Sequence, residues 1–394
     1  MNEGEQGGPE PTFSILRGSE AWESLEPELE PLYASLSAPN PYYSPEWLGH
    51  WRKWFARDST PLAILVRDAA GALRACWPFV EKPGPLGTKG LWPFVFDEAD
   101  YHHPLAHEET VPALLDGARS LLRGNGYHYL WTSLLPDAFH RKHLAPFLAG
   151  KPDPRLERSP RQATFVDFHP FATFDDYLRD RLGPKSRKTL RYDERALARS
   201  GQVTHEVHAD SASLAAFLPS SCIVENNSWK TPQVAGIYSI RNKRAFFFEL
   251  LPDLARKGRA VTSCLRVGDE PVAWELGLLA PAEGTASATY HLHNVAYDEA
   301  WKKRSPGRRL LLLNLARAHA AGQRIDFLPG GLGYKRRLAT HSEPVRELHW
   351  FRNSARAALA RFLIQTTRKL RRRLRSAAAR QNTPRFLRAE RGDL

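Results

Sequence analysis

The stretch that decides the fold is YHLHNVAYDEAWKKRSPGRRLLLLNLARAHAAGQRIDFLPGGLGYK, Tyr290 to Lys335. A strand-like run over 287–295 leads into it, and Ser305-Pro306-Gly307 breaks the chain. An apolar helix is predicted from Gly307 to Ala321, stopped by Gly322. A second strand, Arg324–Leu328, then meets a Gly-rich turn and Tyr334-Lys335. Strand, small-residue turn and helix start bring free backbone N–H groups and the positive end of a helix dipole to one spot. Lys302, Lys303, Arg304, Arg308 and Arg309 crowd it with charge. A diphosphate with a 3′-phosphorylated ribose suits such a spot. Ser-Pro-Gly is also compatible with an ordinary helix start, because the string is short. Asp326, in a buried-looking strand before the glycines, puts polar groups at a strand's C-terminal edge, where ligands collect in open sheets.

Working outward, the chain reads as two α+β halves of similar element order, with no repeat in the sequence itself. Ahead of the key stretch lie a basic helix at 184–200, a strand at 203–208, helices at 211–226 and 236–257, and a hairpin at 261–267 and 271–279. The first half offers a strand near residue 13, then a helix over 22–36 expected to break at Pro27 and Pro31. A helix opened by Ser44-Pro45 follows, then a hairpin at 62–67 and 73–80, a helix at 110–123, a strand at 127–133 and a helix at 138–148. Residues 151–160 read as a linker, 163–168 and 345–351 as strands, and 1–11 as a disordered lead.

Composition narrows the class. A 394-residue chain suits two or three domains, and 42% hydrophobic residues suffice for real cores. No apolar run approaches the ~20 residues of a spanning helix. The N-terminus shows no secretory pattern, and three scattered cysteines without CxxC fit a reducing cytoplasm. The net charge is +13, but residues 354–394 carry +10 of it, so nucleic acid is not an expected partner of the core. His102, His103 and His107, and the pair His291 and His293, lack metal-ligand spacing, so no metal is expected. Walker, GxGxxG, HExxH and GxSxG strings are absent.

Two further polar clusters stand out. Glu225-Asn226-Asn227-Ser228-Trp229-Lys230 ends an apolar helix, as a binding cluster or a C-cap. Lys185, Arg187 and Arg191 belong to a helix whose charges partly pair at i, i+4; it is either a solvated face or a wall for an anionic substrate.

These clusters occur in a familiar order. Lys185-Ser186-Arg187-Lys188 with Arg191 and Arg195 resembles the "kxRkxlRrxerxL" opening of one acetyltransferase family. Glu225 to Lys230 resembles its "ExxSWK", and Ser305-Pro306-Gly307 with Leu310-Leu311 its "SPGxxLL". Asp326-Phe327, Gly330 and Tyr334-Lys335 resemble "DFxxGxxxYK", although Gly330-Gly331 is doubled here. The family is the CelD/BcsL-type acetyltransferases of the GNAT superfamily, related to the FemAB-like peptidyl transferases with their two GNAT-like folds in tandem.

The resemblance covers residues 183–336 and implies a mixed α/β (α+β) protein. A degenerate GNAT-like half spans 12–160, an acetyltransferase domain 161–353, and a basic amphipathic helix and tail 354–394. It implies acetyl-CoA or another acyl-CoA as co-substrate. Ser305, Gly307, Arg308 and Arg309 would hold its phosphates, and Asn294 and Val295 its pantetheine arm. Glu225, Asp326, Tyr334 and Lys335 become catalytic candidates; Trp229, Lys230, Lys185, Arg187 and Arg191 become acceptor contacts. The expected activity is N- or O-acyl transfer to a glycan, nucleotide-sugar or envelope precursor, as in cellulose or exopolysaccharide systems. The alternatives are an aminoacyl-tRNA-dependent peptidyl transferase and a silent scaffold at a membrane surface. The tail, with Leu359, Leu363, Leu370 and Leu374 near one helical face, is expected to touch anionic lipid.

Overall fold

The fold, taken from a computed structural model, is described for residues 12–96, 98–124, 126–149, 155–157, 161–231, 236–281, 288–330 and 333–366. The first half runs β1 (Phe13–Arg17), α1 (Ser19–Ser35), α2 (Pro45–Phe55), β2 (Pro61–Arg67), β3 (Leu73–Pro83), β4 (Lys89–Pro93), β5 (Leu105–Ala106), α3 (Val111–Gly124) and β6 (Tyr129–Pro136). Short helices α4 (Asp137–Phe139) and α5 (Ala145–Leu148), joined through a π turn, lead to β7 (Arg155–Glu157) and β8 (Arg161–Val166). Then come α6 (Phe174–Arg181), α7 (Pro184–Ala198), β9 (Val203–His208), α8 (Ser211–Asn226), α9 (Arg241–Arg256), β10 (Ala260–Val267), β11 (Glu270–Ala280) and β12 (Thr289–Tyr297). The chain continues through α10 (Pro306–Ala320), β13 (Arg324–Pro329), α11 (Gly333–Leu338) and β14 (His341–Phe351).

Among the described residues the fourteen strands join in one sheet, with a main path β1-β2-β3-β4-β6-β14-β8-β13-β12-β11-β10-β9. The halves repeat one topology. Each has a first strand, two helices, an antiparallel run of three strands, a helix, and a last strand parallel to the one before the helix. β4 pairs parallel with β6, and β12 with β13. A non-glycine residue turns left-handed near the end of each last strand, Leu134 at φ 52° and Leu328 at φ 61°. Such a residue is uncommon, so its recurrence at matching places marks the repeat more clearly than the sequence does.

The halves also exchange strands. After β6 the chain crosses, and β8 pairs with β13. After β13 it crosses back, and β14 pairs with β6 while also pairing with β8. Each half therefore borrows backbone partners from the other half's trailing segment, which fixes the seam by hydrogen bonds as well as by packing.

Several local outcomes differ from the sequence expectations, among them strand β7 inside the stretch 151–160 read as a linker. α1 continues through Pro27 and Pro31. Both prolines are exposed while Trp22, Leu25, Leu29, Leu32 and Tyr33 are buried, so the loss of ladder donors falls on the watered side. Helix α6 was unanticipated, although Thr173 and Asp176 form a reciprocal capping box at its start. Tyr334 and Lys335 lie on helix α11 rather than in a loop. Residues 355–366 are helical; Ala357 and Ala360 are buried, and Leu359 and Phe362 are exposed. Leu370 and Leu374 lie outside the described residues.

Glycine is required at position 277 in the core. A Cβ on Gly277 would sit 2.1 Å from the Tyr290 ring, which crosses β11 to donate its hydroxyl to Glu275 Oε1 at 2.8 Å. Gly277→Ala is expected to destabilise by about 1–3 kcal/mol through overpacking, read as a lower melting temperature. An unchanged melting temperature would mean that the ring moves freely.

Candidate functional site

The site begins with a failure of pairing. β12 and β13 are registered only at Thr289–Arg324, Tyr290–Ile325 and His291–Asp326, and then they part. On its other edge β12 carries a bulge: Leu276 faces Asn294 and Gly277 faces Leu292, leaving His293 extra. An extra residue reverses which side chains face each side of the sheet. Leu292, Val295 and Tyr297 consequently line a cleft beside α10, whereas Asn294 turns toward α8.

The cleft encloses about 330 Å³ and reaches Ser305, Gly307, Arg308, Trp229 and Tyr334. Ser305 is left-handed at φ 52°, and its side chain does not cap α10. The N-terminus of this fifteen-residue helix therefore presents uncapped donors at the cleft's end. A Cβ on Gly307 would lie 2.9 Å from the Tyr297 ring, so glycine lets the helix start approach β12 closely. The neighbouring cations are partly committed: Arg308 pairs with Asp193 and Arg309 with Glu194, both on α7. Arg309, Arg187 and Arg191 line a second hollow of about 610 Å³ between α6, α7 and α10, which shares Ser305 and Arg308 with the cleft. Lys185 is exposed at the start of α7 and lines neither space.

A buried polar centre lies on the opposite face of the sheet. Glu225 is 2% exposed, and its two oxygens accept from the Tyr238 N–H at 2.8 Å and the Asn294 amide at 2.7 Å. Lys230 donates to Asn294 Oδ1, and burial lowers its ammonium to about 8. Lys335 is buried, donates to the Phe327 carbonyl and is lowered by desolvation, with Asp100 and Asp326 opposing that shift. Asp326, 1% exposed, accepts from the Tyr101 hydroxyl at 2.7 Å and the Leu328 N–H at 2.7 Å, and its Oδ2 lies 3.1 Å from His291 Nδ1. Tyr334 borders both the cleft and the core, and burial pushes its phenol above the ordinary value.

Sequence reasoning missed what the first half brings. Tyr42 donates to Asp100 at 3.2 Å, and its hydroxyl is also 3.2 Å from His293 Nδ1. Desolvation raises Asp100 to about 6. In the run Asp100-Tyr101-His102-His103 only the histidines enter the sequence reading, for metal spacing, and Asp100 and Tyr101 do not; the signal available was the density of polar aromatic residues in a loop. Among the described residues no group of three or more His, Cys, Asp or Glu can hold a metal.

The corresponding gap in the first half is filled. Beyond the Leu91–Leu130 rung, Trp92 and Trp131 meet edge to face at 4.7 Å, and His349 stacks on Trp131 at 5.8 Å.

Residues 184–336 match the family model described as "Acetyltransferase (GNAT) domain". The second half carries a GNAT acetyltransferase domain. With the splayed parallel pair, that makes the protein a transferase. Solved structures share the fold across most of the chain. The C-terminal domain of a protein described as a lysylphosphatidylglycerol synthetase from Agrobacterium fabrum is 15% identical, covering 88% of this chain and 96% of its own, with a TM-score of 0.54. L-PGS from Bacillus licheniformis gives 12%, 86%, 96% and 0.53, and FemX gives 12%, 82%, 95% and 0.51. No curated protein matches the chain. The GNAT part of the sequence resemblance is thereby supported at domain level.

Proposed function

We propose that the protein is an acyl-CoA-dependent N- or O-acyltransferase of CelD/BcsL type, using acetyl-CoA and acylating a glycan or cell-envelope precursor. The observation that carries this reading is the cleft where β12 and β13 part, closed at one end by the uncapped start of α10. In this reading the α10 N–H groups hold the diphosphate, and the exposed edge of β12 near Val295 pairs with the pantetheine amides. The thioester then lies in the splay, which leaves the enzyme mainly a positioning task. Tyr334 protonates the departing thiolate. Lys335 and Asp326 border the reacting carbonyl, and Glu225 holds Asn294 and Lys230 in place. Calorimetric titration with acetyl-CoA tests the reading. One molecule per chain is expected, because aromatic residues fill the first half's gap. Absence of binding sinks the reading; two molecules per chain would show that the first gap opens.

A second reading, an aminoacyl-tRNA donor, is favoured by the arginine-lined hollow beside the cleft. Titration with tRNA in the same series decides between them.

The tail supports peripheral contact with anionic membrane. Leu359 and Phe362 are exposed, and residues 367–394 add ten basic residues against two acids. A chain ending at Thr366 is expected to keep its activity and lose salt-sensitive binding to phosphatidylglycerol vesicles. Full-length protein that ignores such vesicles at low salt would refute this.

A further inference from the structure

A cavity of about 1060 Å³ lies at the seam of the halves, walled by β8, β13, β14 and the first-half loops around Pro41 and Tyr101. Its inner wall includes His291 and Asp326, the last paired rung before β12 and β13 part. Both side chains therefore stand at the apex of the splay, where a thioester entering from the α10 side would end. The carboxylate can only accept, so the 3.1 Å contact puts the hydrogen on His291 Nδ1 and leaves the Nε2 lone pair free. Tyr101, from the first half, braces the same carboxylate at 2.7 Å. His103 also lines the cavity, and its buried Nδ1 has no hydrogen-bond partner.

The lining also states what the cavity would accept. Among the described residues that line it, the only Lys or Arg is Arg324, which is already engaged by Glu343 at 3.5 Å and His341 at 2.9 Å. Among those residues a phosphate would find no free cation, in contrast with the arginine-lined hollow beside the cleft. Among the titratable side chains of the lining, carboxylates and imidazoles outnumber the one cation, and they are set among prolines and phenylalanines. That chemistry suits an amine on a compact polar body.

Resting on the acyl-CoA reading above, we propose that the seam cavity binds the acceptor, a phosphate-free primary amine such as an amino sugar, and that His291 is its general base, positioned by Asp326 and Tyr101. The amine nitrogen attacks the thioester carbonyl, forming an N–C bond and breaking the C–S bond. The proton lost by nitrogen passes to His291 Nε2, the thiolate takes one from Tyr334, and solvent restores both groups. The first half thus contributes part of the acceptor site rather than a second catalytic centre.

The test uses full-length protein with acetyl-CoA, following thiol release with glucosamine, spermidine, glucose and glucosamine 6-phosphate. The two amines are expected to accelerate release, glucose not, and the phosphate ester less than glucosamine. His291→Ala should lower amine-dependent turnover about 10²-fold with acetyl-CoA affinity unchanged, and added imidazole should restore part of it. Asp326→Asn should lower kcat more than it raises the amine KM, and Tyr101→Phe should do so more weakly. Acetyl-CoA binding with no response to either amine, preference for the phosphate ester, or a His291→Ala enzyme of full activity would each overturn the proposal. Loss of acetyl-CoA binding by the unaltered protein would instead strike the donor reading on which it rests.

Discussion

Tyr334→Phe is expected to lower turnover about 10²–10³-fold while leaving acyl-CoA affinity intact. The substitution removes one hydroxyl from a side chain that borders the cleft and keeps the ring that packs edge-on to Phe327 at 6.5 Å. Burial, reinforced by the nearby Glu275 carboxyl, raises the phenol above its ordinary range, so it is protonated throughout the neutral region. A protonated donor beside the departing thiolate is what acyl transfer needs, and phenylalanine cannot supply it. If Tyr334 served only the core, activity per folded molecule would remain near wild type. Measuring activity and melting temperature on the same preparation separates the two roles.

Gly307→Asp is expected to weaken acyl-CoA binding by about 2–3 kcal/mol, roughly 30- to 150-fold. Two causes add. The new Cβ meets the Tyr297 ring at 2.9 Å, and the carboxylate places negative charge at the end of α10 where diphosphate would lie. Gly307→Ala carries the first cause without the second and should lose less. Equal losses in the two variants would reduce the effect to sterics, and unchanged affinity in folded Gly307→Asp would remove the anion site altogether. Calorimetry with acetyl-CoA reads both.

Much of the cleft proposed for the donor was legible because it is local. Ser305-Pro306-Gly307 followed by Leu310-Leu311 encodes a strand end and a helix start within a few residues, and β12, α10 and β13 fall where periodicity put them. The buried polar centre behind the cleft was not legible. Glu225 read as an available carboxylate, yet Tyr238 and Asn294, thirteen and sixty-nine residues away, occupy its oxygens. His291 drew attention only as a metal ligand, since its partner Asp326 lies thirty-five residues on.

Most of the element order, the helix and turn beside the splayed strand pair, and the location of most of the positive charge in the tail could be read from the chain alone. Each depends on neighbours in the chain: hydrophobic period, turn residues and local charge. Long-range contacts alone set the exchange of β8 and β14 between the halves, the aromatic filling of the first half's gap, and the reach of Tyr101 to Asp326 across 225 residues. Those outcomes depend on which strand edges meet and which side chains then compete for the same buried space. Backbone pairing across the seam and the bulge at His293 settle both, and neither leaves a periodic trace in the sequence.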